Sequence, residues 1–534
     1  MLKANFITAQ EAAEKIQDGS TLCTIGMTLV SASESILKAI EKRFETVGHP
    51  ADITLVHSCG QSDRKDGIQH LAHEGLVKRI VGSHWGLQPR WMEMIANSQV
   101  EAYCLPQGQI AQLYRSMACG LPGKMSKVGL GTFIDPRVEG GKMNDRTKPL
   151  SDIVDILEYG GEEYMFYKEI PLDTVLIRGT VCDEMGNLTT TEEAMKLEVL
   201  PAVLAAKRYG GRVIAQVKQV VQSGTINPKD VTVPGVFIDD IVVCENPMED
   251  HRQTSSWYYD PSYCGLARVP AGDIPPAPFN ERKFIARRGA QELYRGAVIN
   301  LGTGIPNDMI GKVCNEEKVS DDVVITVESG IYGGVQFRAK DPRIVAGGID
   351  FGIGQNLMAM IGHHEQMDYY NGAGVDITYM GLGELGEDGS VNSTKMGTRC
   401  TGAGGFIDIT QNAKKIVFLG TFTASGAKYE FKDGKLNILQ EGKIRKMVRN
   451  VAQLSFNGPM ARKKGQEVMI VTERAVFELC KEGVKLIEIA PGIDLHTQIL
   501  DMMDFKPIIS EELREMDASL FIQNGPFGLQ LKEK

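Results

Sequence analysis

Four prolines crowd into Arg268-Val-Pro-Ala-Gly-Asp-Ile-Pro-Pro-Ala-Pro-Phe279, at the middle of a 534-residue chain. Proline fixes φ and lacks the amide proton that a helix or an inner strand needs, so such a stretch stays extended and outside regular elements. A chain of this length also exceeds what one hydrophobic core can hold. The segment therefore predicts an N-terminal domain over residues 1–267, a linker over 268–281 and a C-terminal domain over 282–534.

The two halves open alike. Residues 9–16 read as a helix behind a Thr8/Glu11 capping box and pass through Asp18-Gly19 into an apolar strand that ends at Gly26. Residues 284–293 read as a helix and pass through Arg295-Gly296 into a strand that ends at Gly302. A second helix follows each, over 34–44 and 307–313. An Asp-led strand and turn recurs as well: Asp173-Thr-Val-Leu-Ile running to Asp183-Glu-Met-Gly186, and Asp376-Ile-Thr-Tyr-Met running to Glu387-Asp-Gly389. A third pair, Gly129-Leu-Gly-Thr-Phe-Ile-Asp135 and Gly402-Ala-Gly-Gly-Phe-Ile-Asp408, matches strongly but lies on opposite sides of the Asp-led strand in the two halves. The three pairs cannot all come from one collinear duplication. Strands alternating with helices predict α/β layers in each half, hence two related α/β domains.

Hydrophobic residues at 43% and charged residues at 24% are ordinary globular values, whereas 58 glycines exceed the usual share and cluster in short motifs. A net charge of −10 without a basic stripe argues against nucleic acid or an anionic membrane as partner. The densest basic segments, Lys443-Ile-Arg-Lys446 with Arg449 and Arg462-Lys-Lys464, read as solvated faces. Ten scattered cysteines without Cys-x-x-Cys spacing suit a reducing compartment. With no apolar signal core and no long apolar run, a cytoplasmic protein without a membrane span is expected.

The stretch Val323-Val-Ile-Thr-Val-Glu328-Ser-Gly330 reads as a buried strand that delivers one carboxylate to a turn, with Gly333-Gly334 close behind. Ligands of α/β proteins sit beyond the carboxyl ends of the strands, and a carboxylate placed there can act as a covalent nucleophile. The competing reading, a glutamate ending a strand in solvent, is the commoner fate of glutamate. Gly402-Ala-Gly404-Gly405 can expose backbone amides as an anion-accepting concavity or can serve as a plain turn. Pro106-Gln107-Gly108, after a short strand over 101–105, offers a neutral side-chain donor in what reads as a turn. Gly381-Leu-Gly383-Glu-Leu-Gly386 has the form of a dinucleotide fingerprint, but turn residues rather than a helix follow it. His363-His364 lacks partners at metal-ligand spacing and reads as a surface pair, so no metal is expected.

Taken together, Thr326-Val-Glu328-Ser-Gly330, Gly402-Ala-Gly-Gly-Phe406, Pro106-Gln-Gly108 and Gly129-Leu-Gly-Thr-Phe-Ile-Asp-Pro-Arg137 resemble the signatures of family I coenzyme A transferases. The single-chain bacterial propionate/acetate type is the nearest in pattern. Ala72-His-Glu-Gly-Leu-Val-Lys78, Ala286-Arg-Arg-Gly289, Val471-Thr-Glu-Arg-Ala475 and Ile489-Ala-Pro-Gly-Ile-Asp494 extend the resemblance over the whole chain. It implies two α/β domains of the CoA-transferase type with the active site at their interface. It implies Glu328 as nucleophile through a glutamyl–CoA thioester, Gln107 and Asn392 as oxyanion or substrate contacts, and Gly402, Gly404 and Gly405 as CoA-binding backbone. Coenzyme A would be a substrate, with no bound cofactor; short-chain carboxylic acids would be the partners, in a closed homo-oligomer. Ser31-Ala-Ser-Glu-Ser35 departs from the side-chain amide that ketoacid-specific relatives carry there, which disfavours 3-oxoacids. An acyl-CoA hydrolase using the same glutamate, or a silent acyl-CoA or sugar-phosphate sensor, would share the fold.

Overall fold

The computed structural model describes residues 4–268, 276–333 and 348–534. Half of the expected linker, residues 269–275 with Pro270 and Pro275, and Gly334 behind the Glu328 turn lie outside the described residues. Two large hydrophobic cores form among the described residues, one built from Ala12 to Tyr263 and the other from Ala277 to Leu529, with a small third cluster of Val327, Ile331 and Leu357. The first core also takes in Ile353, Cys400, Ala403 and Ile407 from the second half, so the halves share packing along one seam.

Eight parallel strands make the sheet of the first domain. Their order is Phe6–Ile7, Asp240–Val243, Arg212–Val217, Thr174–Arg178, Thr21–Thr24, Ile53–Val56, Val77–Gly82 and Glu101–Cys104. The second domain has a ten-stranded sheet. At its heart lie Glu467–Val471, Lys415–Leu419, Ile377–Gly381, Val298–Leu301 and Val324–Val327, again parallel and in that order. Five neighbouring strands thus follow the same order in both domains. Beyond them the second sheet turns antiparallel, through Ile331–Tyr332 at one end and Ala475–Leu479 at the other.

Hydrogen bonding decides between the sequence pairs. Asp173 accepts from the Thr21 amide at 2.8 Å, and Asp376 accepts from the Val298 amide at 3.0 Å. The Asp-led strands and the opening strands are therefore structural equivalents. Thr21 pairs with Thr54 and Val298 with Val324, which sets Asp52–Gly60 against Asp322–Gly330 without a gap. In contrast, Gly402–Asp408 is a loop entering the helix Phe406–Thr410, whereas Gly129–Asp135 is a run of turns. The two do not correspond, and Gly129–Leu130 instead meets the far end of that helix, where Gln411 accepts from the Gly129 amide at 2.6 Å and donates to Leu130 O at 2.9 Å. The third sequence pair is coincidental.

Local signals produced the expected elements with shifted ends. The capping box of Thr8 and Glu11 forms at the helix Ala9–Glu14, and the second helices run Glu34–Val47 and, after a π-helical turn Pro306–Ile310, Gly311–Glu316. The formal dinucleotide motif continues as a strand, Glu384–Gly386, and a turn, so no helix N-terminus stands there for a pyrophosphate. One basic segment is solvated except at a single position, with Lys443, Arg445 and Arg449 exposed. Lys446 is buried with its ammonium donating to Thr421 O at 2.8 Å, and burial lowers it to about 8.

Candidate active site

The strand Val324–Val327 delivers Glu328 to a turn in which the Gly330 amide donates back to Val327 O at 2.9 Å. Gly330 has φ +98°, and a Cβ there would stand 2.2 Å from Ile361 O, so only glycine lets the turn fold under the 361–363 segment. Glu328 itself keeps partial exposure, but its carboxyl is enclosed by protein. Burial is the main cause that raises it from the ordinary 4.5 to about 7. The charge that His363 carries when protonated and a hydrogen bond from Gln107 pull the other way, and Asp408 pushes up.

The glycine loop closes over this carboxylate. A Cβ on Gly405 would lie 2.3 Å from Glu328 Oε2, so bare backbone is what fits beside the acid. The loop is clamped to the first domain. The Gly404 amide donates to Ser83 O at 2.9 Å, Gly404 O accepts from the Gln107 amide at 2.9 Å, and the Trp85 amide donates to Thr401 O at 2.7 Å. The Gly402 amide is also occupied, by Thr394 O at 3.2 Å. Among the described residues, the Gly405 amide alone of the three glycines has no acceptor.

Gln107 is not in a turn but opens the helix Gln107–Ala118 of the first domain. Pro106, the residue before it, supplies no side-chain cap. The cap comes from the other domain, where Asp408 accepts from the Gly108 amide at 2.9 Å and from Gln109 Nε2 at 2.7 Å. A carboxylate suits this end, where helix amides are unpaired and the dipole is positive. The Gln107 side chain is buried and its Nε2 stands 3.1 Å from His363 Nε2.

His363 is a correction to the surface-pair reading. It opens the helix His363–Gly372 and is fully buried, with Nδ1 2.7 Å from Glu198 Oε2 and 3.8 Å from Cys59 Sγ. Glu198 also accepts from Ser58 Oγ. Donor atoms of Cys59, Glu198 and His363 lie within 4.8 Å of one another, close enough for a cation, although hydrogen bonds already join the histidine to both partners. No sequence spacing announces the group, because His363 lies 165 residues from Glu198 and 304 from Cys59.

Asn392 is not joined to this group. Its amide donates to Glu384 Oε2 at 2.8 Å and Lys395 O at 2.7 Å, while its oxygen accepts from the Thr394 and Lys395 amides. Its polar atoms are spent on the hairpin that carries it. The Ser31–Ser35 loop turns inward too, Ser31 Oγ donating to Glu193 at 3.1 Å and Ser33 Oγ to Ile177 O at 2.9 Å. A cavity of about 500 Å³ lies between Thr190–Pro201 and Met360–Glu365, beside His364 but not lined by Glu328 or Gln107.

A carboxylate in a strand-end turn, bare backbone against it and an interdomain amide donor can form and stabilise an acyl intermediate. The comparisons with known proteins point the same way. Residues 6–244 match the family described as Coenzyme A transferase. The chain is 42% identical to the caffeate CoA-transferase of Acetobacterium woodii over 524 residues, 97% of each protein. It is 40% identical to the acetate CoA-transferase YdiF of Escherichia coli K12, covering 97% of this chain and 95% of the relative. The crystal structure of acyl-CoA transferase YdiF from E. coli O157:H7 as a thioester complex with CoA superposes with a TM-score of 0.89 at 38% identity, covering 100% of this chain and 98% of that one. With this fold, this site and relatives alike over nearly their whole length, the chain belongs to the coenzyme A transferase family and transfers CoA between acyl-CoA and carboxylates.

Proposed function

We propose that Glu328 is the nucleophile through which CoA passes from short-chain acyl-CoA to short-chain carboxylates of the acetate, propionate, lactate and butyrate class. The Glu328 carboxylate attacks the acyl carbonyl, expelling CoA thiolate and forming a mixed anhydride. The thiolate then attacks the Glu328 carbonyl, releasing the first acid and leaving a glutamyl–CoA thioester. An acceptor carboxylate attacks that thioester to form a second anhydride, and the thiolate takes its acyl group, returning Glu328 unchanged. The thioester energy is conserved as long as water is kept out.

The observation that carries this reading is the approach of Gly405 to Glu328 Oε2, which leaves a backbone amide without an acceptor beside the reacting carbonyl. Each tetrahedral intermediate places negative charge on oxygen, and Gln107 and the Gly405 amide supply donors for it. Gly402 and Gly404 hold the loop, and Asn392 supports the neighbouring hairpin. CoA enters as a substrate and leaves as part of a product, so the cycle uses no metal or resident cofactor. Ten free thiols support a reducing cytoplasm, and among the described residues no helix is long and apolar enough to cross a membrane.

Full-length protein incubated with acyl-CoA alone should gain CoA as a thioester on Glu328, located by borohydride reduction and peptide mapping. Initial rates at several acid concentrations should give parallel lines. Acyl-CoA loss at the same rate with and without acid would mean a hydrolase instead, and no thioester turnover at all would mean a sensor. Clear preference for acetoacetate over acetate and propionate would remove the short-chain assignment.

A further inference from the structure

His363 and Glu198 form a hydrogen-bonded chain behind Gln107. Ser58 Oγ donates to Glu198, Glu198 Oε2 stands 2.7 Å from His363 Nδ1, and His363 Nε2 stands 3.1 Å from the Gln107 amide. All four side chains are buried. A carboxylate of Glu198 can only accept, so His363 Nδ1 carries a proton and the ring cannot turn over without losing that bond. Nε2 is thereby held toward Gln107 Nε2, which can only donate, so the contact at 3.1 Å belongs to the neutral ring with a bare Nε2.

An amide has a donor end and an acceptor end of nearly the same shape, and only the donor end serves an oxygen gaining negative charge. Among the described residues, Gln107 has one buried side-chain partner besides Glu328, the His363 ring, to fix which end points where. Ring and amide come from different domains, so the contact also reports that the domains are correctly seated.

We infer that His363, anchored by Glu198, is a positioning residue that sets the orientation of the Gln107 amide against Glu328. The inference rests on the reading of Glu328 as nucleophile. His363 touches no reacting atom and acts on transfer through Gln107.

A double-mutant cycle on the full chain tests this. Values of kcat and KM are measured for wild type, His363→Ala, Gln107→Ala and the double variant, together with CoA attachment to Glu328 by mass spectrometry. In the wild-type background His363→Ala should lower kcat about 10- to 100-fold while KM for acyl-CoA stays within about 3-fold, the scale of a misplaced oxyanion donor. With Gln107 already alanine, the same change should lower kcat by less than about 3-fold, since coupled residues are not additive. Equal losses in the two backgrounds overturn the inference. If His363→Ala does not fold, His363→Phe keeps the ring volume without its nitrogens and carries the same cycle. A wild-type adduct with equal losses sinks the positioning role alone. Absence of an adduct in wild type removes the nucleophile and the positioning role together.

Discussion

Ser58 stands in the first domain where Glu328 stands in the second. The strand registers place Asp52–Gly60 on Asp322–Gly330, with serine opposite glutamate at the end of equivalent strands. The correspondence extends outward. Gln107 and His363 each open the helix that leads toward the Asp-led strand, and Glu198 and Gly405 each precede the next helix. Glu328 with Gly405 and Gln107, and Ser58 with Glu198 and His363, are two versions of one arrangement. In each, two residues come from one domain and the third from the other. The second version is filled by a serine–carboxylate–imidazole chain, which leaves the first as the one with a carboxylate beside unoccupied backbone.

Replacing Gln107 with alanine removes the side-chain donor that faces Glu328. Loss of one such donor should lower kcat by about 10²- to 10³-fold, with KM for acyl-CoA little changed. Steady-state kinetics with propionate as acceptor check this; a 10-fold rise in KM at constant kcat would assign Gln107 to ground-state binding instead.

Gly405→Ala places a methyl group where 2.3 Å separates it from Glu328 Oε2. Gly405 has φ −83°, so alanine meets no backbone strain and the effect should fall on the carboxylate. A displacement on the order of 1 Å should cost roughly 10²-fold in kcat, while the melting temperature changes little. Activity near wild type would show that the loop can yield without moving the acid.

The pH dependence follows from a carboxyl raised to about 7, chiefly by burial. A nucleophilic Glu328 must be ionised, so under the proposed mechanism kcat/KM for acyl-CoA should climb as pH rises through about 7. Stability runs the opposite way. Between the ordinary 4.5 and about 7 the folded chain holds a proton that the unfolded chain has released, so stability falls as pH rises across that window. Glu328→Gln should be inert yet melt above wild type at pH 8, with the gap closing near pH 5. Melting curves of both proteins at the two pH values test the sign.

Asp408→Ala strips the cap from the Gln107–Ala118 helix across the domain seam. Loss of a helix cap costs about 1–2 kcal/mol, and here the lost bonds also release the residue that carries the donor. Both a lower denaturation midpoint and a fall in kcat should follow, whereas Asp408→Asn, which keeps one acceptor oxygen for Gly108 but sets its NH2 against Gln109 Nε2, should recover only part of each.

Local chemistry made much of this legible in the sequence. The Thr8 cap, the Asp-led strands and the Glu328 turn are set by neighbours a few residues away, and each forms where the pattern placed it. His363 escaped because adjacent histidines carry no periodicity, and its burial is decided by Ser58, Cys59 and Glu198 far up the chain. Lys446 escaped for a similar reason, since a run of basic residues does not reveal that one of them turns inward to Thr421. Gln107 read as a turn because Pro106 looks like turn chemistry, and the carboxylate that starts the helix there comes from Asp408, 300 residues away. The third repeat pair could not be placed from the sequence, because likeness between short glycine loops does not reveal whether they occupy equivalent positions.

The cap that Asp408 lends to Gly108 has a further meaning for how such an enzyme can be divided. Each domain holds one part of the other's working end, so catalysis is a property of the docked pair. Were the two domains made as separate chains that fold and dock, activity would follow mass action and fall on dilution below their dissociation constant. Covalent continuity then serves as a supply of effective concentration, and the tether can be lost without loss of chemistry only where the two fragments are made in matching amounts.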